Sequence, residues 1–232
     1  MNDTEHKLDS RTKVITGVLL FLWLALAYIL AANNAYVRAP GEIPLPILVG
    51  VLAPIIVFLG LYWTVRRFRD FVLSIDLPVA AGIQAWRFAG LGFIALYVYG
   101  VLPGLFAWPA GLGDMAIGIT APFVILALRR RPAFAAGRLF LVWNLFGILD
   151  LAVAVSLGAL SSVLGFGLAA GITTFPMAEL PLVLIPTFLV PLFIMLHIAS
   201  ILQARRLVAA GEVCVWTEPE MKCVPVETMH RA

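Results

Sequence analysis

AGLGDMAIGITAPFVILAL (Ala110–Leu128), RRRPAFAAGR (Arg129–Arg138) and LFLVWNLFGILDLAVAVSLGAL (Leu139–Leu160) follow one another without a gap, and their reading decides the fold. Two apolar runs, each close to the ~20 residues that cross a hydrocarbon core, are joined by a short connection holding four arginines. A backbone in lipid has no water to satisfy its N–H and C=O groups, so each run crosses as a helix. Each run also carries one acid, Asp114 in the first and Asp150 in the second.

Working outward, four more runs of the same kind appear: Val14–Ala32, Ile47–Val65, Ala85–Leu105 and Leu180–Leu202. Lys and Arg gather in every second connection: Lys7, Arg11 and Lys13; Arg66, Arg67 and Arg69; Arg129–Arg131 and Arg138; Arg205, Arg206, Lys222 and Arg231. Arg38 stands alone on the other side. Positive charge marks the cytoplasmic side, and cytoplasmic termini require an even number of crossings. The expected fold is therefore all-α, a polytopic bundle of six spans in a bacterial inner membrane, with both termini in the cytoplasm. Residues 1–13 and 205–232 are its tails, and the apolar segments 71–82 and 161–179 lie at the interfaces, the latter as a lid.

Composition agrees, because 62% hydrophobic and 12% charged residues leave too little polar surface to coat a soluble globule. The net charge of +3 is accounted for by the arginine flanks and calls for no nucleic acid. The first run is longer than the ~7–15 residues of a signal-peptide core and reads as a retained helix. Cys214 and Cys223 lie in GEVCVWTEPEMKCVPVE, a short hairpin or extended tail without metal-binding spacing. No Lys occurs in any span, which removes a retinal Schiff base, and His197 is the only His in a span, which removes a bis-histidine haem. No residue is assigned to bind a cofactor or a metal, and the cofactor is left unknown.

Ionisable groups within a span cost at least ~2.5–3.5 kcal/mol on insertion scales, so the few present are the functional candidates. At ~1.5 Å per residue from the arginine-bearing ends, Asp114 lies near ~21 Å and Asp150 near ~17 Å, an outer layer in which two carboxyls meet and share a proton. Asn144 and His197 lie near ~8 Å, and Arg87 reaches the same depth on its long side chain, an inner layer bordered by Gln84 and Ser200. The inner layer either holds an anionic or carbonyl-bearing ligand or satisfies itself. Asp150 shares a face with Trp143, Gly147, Ala154 and Gly158, where small residues admit a neighbouring helix, and Asn144 points about two-thirds of a turn away. Asp114 also reads as an acid at the start of its helix, complementing the macrodipole as Glu42 and Glu179 do.

PAGLGD (Pro109–Asp114), WNLFGILD (Trp143–Asp150) and LIPTFLVPLFIMLH (Leu184–His197) resemble small six-helix bacterial inner-membrane proteins of no assigned activity. The resemblance covers Trp86 to Arg206. It implies the origin and the fold, and no ligand or catalytic residue.

The functional expectation is a small membrane protein that binds or moves a small solute or protons, with Asp150, Asp114, Arg87, Asn144 and His197 as the site. Binding or transport stands ahead of catalysis. An intramembrane enzyme acting on a lipid or quinone-like substrate is the alternative. A structural subunit, docking on a second copy or within a membrane complex, is the third reading.

Overall fold

The computed structural model describes residues 10–39, 41–164, 171–210, 212–217 and 220–225. Its helices are α1 (Ser10–Ala32), α2 (Leu45–Thr64), α3 (Arg66–Leu73), α4 (Leu77–Gln84), α5 (Leu91–Val98), α6 (Gly104–Arg130), α7 (Arg138–Leu164) and α8 (Val190–Ala210). Among the described residues, six helical stretches are long and apolar enough to cross a membrane: Arg11–Ala32, Leu45–Thr64, Leu77–Val98, Gly104–Arg130, Arg138–Leu164 and Ile185–Ala209. The sixth is the axis of the bundle, with 50% of its apolar window buried against 11% for each of the first two. The protein is thus a helical, multi-pass membrane protein by length and composition of its helices.

The third span departs most from expectation. It begins at Leu77 and not at Ala85, so Leu77–Gln84 is part of a crossing and not an interfacial segment. The cause is local: Asp76 caps α4 by accepting a hydrogen bond from the Val79 N–H at 3.0 Å, and Pro78 sits in the first turn, where no N–H is needed. The span is then interrupted by a 3₁₀ turn, Ala85–Gly90, before α5 completes it.

The other long spans exceed their apolar runs. The fourth begins at Gly104, which places Asp114 ten residues into α6 (104 to 114) and ends its reading as a first-turn acid. The sixth is entered through a single π turn, Ile185–Leu189, in which the Val190 N–H reaches back five residues to the Ile185 carbonyl. Pro186 and Pro191 supply no N–H there, so the regular ladder cannot form. Such a turn adds one residue to a helix.

At the arginine-bearing end, Ala81, Val124, Leu128, Ala135, Phe140 and Ala204 form a tight apolar core beneath the 3₁₀ turn Pro132–Ala136. At the opposite end the core is Phe93, Leu102, Phe106, Ala107, Ala110 and Met177. Residues 165–170 of the expected lid lie outside the described residues. Its C-terminal part is docked on the bundle: Thr174 donates to the Gly158 carbonyl at 2.6 Å, and Met177 and Ala178 are buried. After α8, β1 (Glu212–Thr217) and β2 (Glu220–Pro225) pair antiparallel with Cys214 opposite Cys223, the hairpin alternative for the tail.

Candidate functional site

Between the two cores lies a single polar cluster. It begins with Arg87, which the 3₁₀ turn aims inward. Three residues per turn bring Gln84, Arg87 and Gly90 onto one line, and all three are buried. Trp86 and Phe88 on either side face outward. The Arg87 side chain is 0% exposed, so it is an interior residue and not an interfacial anchor.

A buried guanidinium needs partners for its N–H groups, and the three helices α6, α7 and α8 supply them. Nε donates to Asp114 Oδ1 of α6 at 2.6 Å, and Nη2 donates to Asp150 Oδ2 of α7. Nη1 donates to the Gly147 carbonyl at 3.3 Å and to His197 Nε2 of α8 at 3.2 Å. A guanidinium only donates, so His197 Nε2 is the accepting nitrogen and Nδ1 carries the hydrogen. Nδ1–H then donates to Asn144 Oδ1 at 2.9 Å, and the Asn144 amide nitrogen donates to the Phe140 carbonyl at 2.8 Å. Trp143 closes over the imidazole edge-on at 5.4 Å between ring centroids.

All five residues singled out in the sequence meet in this cluster, but not in two layers. The two carboxyls do not share a proton with each other; Arg87 lies between them. The depth count fails because it starts from the ends of the apolar runs. The sixth span continues to Ala209 (197 to 209, twelve residues), which puts His197 ~18 Å from that end. Nor do Asn144 and Asp150 need a common face, because His197 and Arg87 bridge the angle between them.

The close approach depends on glycines whose role the sequence pattern does not reveal. A methyl group on Gly113 would strike the Asp150 carboxylate, one on Gly147 the His197 ring, and one on Gly90 the Asp114 Cβ. At Gly118 it would meet the backbone of Phe88 and Arg87, with the Arg87 carbonyl carbon at 2.9 Å. Gly111, Asp114 and Gly118 lie three and four apart, hence on one face of α6. That spacing is visible in the sequence, but the element it receives is not. Asp150 rests on α6, and the small-residue face of α7, expected to admit a neighbouring helix, receives α8 with His197 on Gly147.

Gln84 and Ser200 remain at the border: Gln84 Nε2 donates to the Phe193 carbonyl at 3.2 Å and the Ser200 hydroxyl to the Leu196 carbonyl at 2.9 Å. Gln203, which the sequence pattern does not single out, ties α8 to the α3–α4 connection through the Val72 and Ile75 carbonyls, each at 3.0 Å.

A cavity of about 100 Å³ reaches the cluster from the end away from the arginine-bearing connections. Its wall is chiefly apolar, including Phe93, Phe106, Leu151 and Val155, with Arg38 and Glu42 towards the α1–α2 connection and Asp114 at its inner limit. Tyr36 also lines it; burial pushes its phenol above the ordinary value, opposed by a hydrogen bond with Thr187. Among the described residues, Asp114 accepts a hydrogen bond on Oδ1 alone, and its side chain is 15% exposed against 8% for Asp150. Among the described residues no group of three His, Cys, Asp or Glu is arranged to hold a metal ion.

No curated protein and no solved structure matches the chain. A family model matches residues 42–205, from just before α2 into α8, and this range contains all five residues of the cluster. The chain belongs to the family described as Domain of unknown function (DUF8737).

Proposed function

We propose that this membrane protein binds or moves a small solute or protons, and that the Asp114–Arg87–Asp150 cluster is the group that does so. The observation that carries this reading is the charge count inside the spans. Two carboxyls share one guanidinium, so the cluster is short of one positive charge whenever both are ionised. A low-dielectric interior does not leave such a charge uncompensated. A proton or a solute with positive charge completes it, and Asp114 stands where the cavity ends.

The enzyme alternative needs His197 to reach a substrate, yet both ring nitrogens are engaged inside the protein and the residue is 1% exposed. The subunit alternative relies on small-residue faces for docking, and those of α7 are occupied from within: Gly147 by His197, and Gly158 by Phe106, which would stand 3.5 Å from a methyl group placed there.

In this reading the arginine-bearing end faces the cytoplasm of a bacterium, with the cavity towards the outer side of the inner membrane. A cytoplasmic reporter fused after Arg206 should be active, and an impermeant thiol reagent should leave Cys214 and Cys223 unlabelled in intact cells. The proton reading is tested in proteoliposomes under an imposed pH gradient with an entrapped dye. Wild type should dissipate the gradient faster than Asp150→Asn, which keeps the shape but has no proton to exchange. Equal rates for wild type, variant and protein-free vesicles would remove proton movement from the proposal.

A further inference from the structure

We infer that the cavity takes a hydrophobic amine: an ammonium group at Asp114 and an apolar body along the wall formed by Phe93, Phe106, Leu151 and Val155. The inference rests on the functional reading above and specifies the solute. It follows from which hydrogen-bonding capacity is already spent. Arg87 directs four N–H bonds to protein acceptors and has a side chain 0% exposed, so it is not available to an anion. His197 uses both ring nitrogens, and Asn144 uses its oxygen and its nitrogen. Within the cluster, what remains unused on the cavity side is acceptor capacity, the second oxygen of Asp114. A ligand at that point must donate, and the missing positive charge of the cluster selects a cationic donor over a neutral one. The cavity's other charged residues, Arg38 and Glu42, belong to the α1–α2 connection, and the rest of the wall is chiefly apolar, so the body of the ligand is apolar. Ammonium and proton then compete for the same deficit of charge, which Asp150, Arg87 and His197 set from the neighbouring helices and Arg38 and Glu42 from the connection above.

The test compares three probes with one alkyl chain and different heads: octylamine, 1-octanol and octanoate. Binding to the purified full-length protein is followed by thermal shift at one fixed detergent concentration, so that partition into micelles is common to every variant. Octylamine should bind roughly 10–100-fold more tightly than octanol, as a charge-assisted hydrogen bond to a partly buried carboxylate implies, with octanoate weakest. Asp114→Asn should abolish the preference for the amine while leaving octanol binding in place. Ala154→Leu, which narrows the cavity one turn beyond Asp150 and changes no charge, should weaken all three probes alike and serves if Asp114→Asn does not fold. The same amine presented as phosphatidylethanolamine in nanodiscs separates a lipid source from a free one: displacement of octylamine by that lipid, and not by phosphatidylcholine, assigns the amine to the membrane. Octanoate binding as tightly as octylamine, or an amine preference that survives Asp114→Asn, would overturn the inference alone. Absence of binding by every probe would overturn the cavity as a solute site as well.

Discussion

His197 and Asn144, at one end of the buried cluster, have both ring nitrogens and both amide heteroatoms engaged within the protein, whereas Asp114 and Asp150, at the other, each hold Arg87 by one oxygen. The two ends share a guanidinium and a depth, yet only the acidic end keeps capacity for a further partner. Polar groups in lipid are costly in both places, but they are retained for different physical reasons. At the closed end each group exists to satisfy another, and the chain of bonds fixes α7 against α8. At the open end satisfaction is incomplete, and the deficit is what a ligand can answer.

Substitutions separate the ends by size of effect. The largest loss should come from Arg87→Met, which strands two carboxyls and an imidazole acceptor: about 3–5 kcal/mol, or failure to fold, measured by thermal or denaturant unfolding in detergent. Adding Asp114→Leu and Asp150→Leu to it should restore much of that loss, because an apolar triad needs no compensation. Gly113→Ala should come next, at about 1–3 kcal/mol, since its methyl group lands on the Asp150 carboxylate. Gly60→Ala in α2, where nothing lies within 4 Å, is the control and should be neutral or stabilising by up to about 1 kcal/mol. Equal effects at the two glycines would mean that the helices do not approach as closely as described.

The closed end is tested by a double-mutant cycle on His197→Ala and Asn144→Ala. A coupling of about 1 kcal/mol is expected for groups in one hydrogen-bonded chain. Additivity within ~0.3–0.5 kcal/mol would detach the two residues from each other. Within the cluster the smallest loss of stability, about 1 kcal/mol, should follow Asp114→Asn, because the amide oxygen still accepts from Arg87 Nε and only the charge assistance is lost. A loss of ~3 kcal/mol or more there would place Asp114 with the structural end, and the comparison would fail.

Much of this architecture is legible in the sequence, because length and hydrophobicity act on whole segments. Six runs near ~20 residues need only a count. The residues of the cluster are also legible, since any Asp, Arg or His inside such a run is conspicuous. Their assembly is not. Arg87 sits at one end of an apolar run and reaches the cluster only on its long side chain until α4 is added before it, and the signal for that addition, Asp76 with Pro78, looks in the sequence like an interruption and not like a helix start. The match of Gly113 to Asp150 and of Gly147 to His197 is a property of helix pairs. No periodicity within one helix reveals which side chain its neighbour will present.

The π turn at Ile185–Leu189 gives this arrangement an uneven genetic sensitivity. Each residue of an α-helix advances the azimuth by about 100°, and a π turn takes up one additional residue within a widened turn, so the helix beyond it keeps its phase. A codon lost between Leu192 and Leu196, in the regular part of α8, has no such turn left to absorb it and removes none of the five polar residues. It would nevertheless swing His197 off Gly147, and the imidazole would lose Arg87. In-frame deletions there should therefore behave like substitutions in the cluster itself, while loss of one residue within the π turn should cost less.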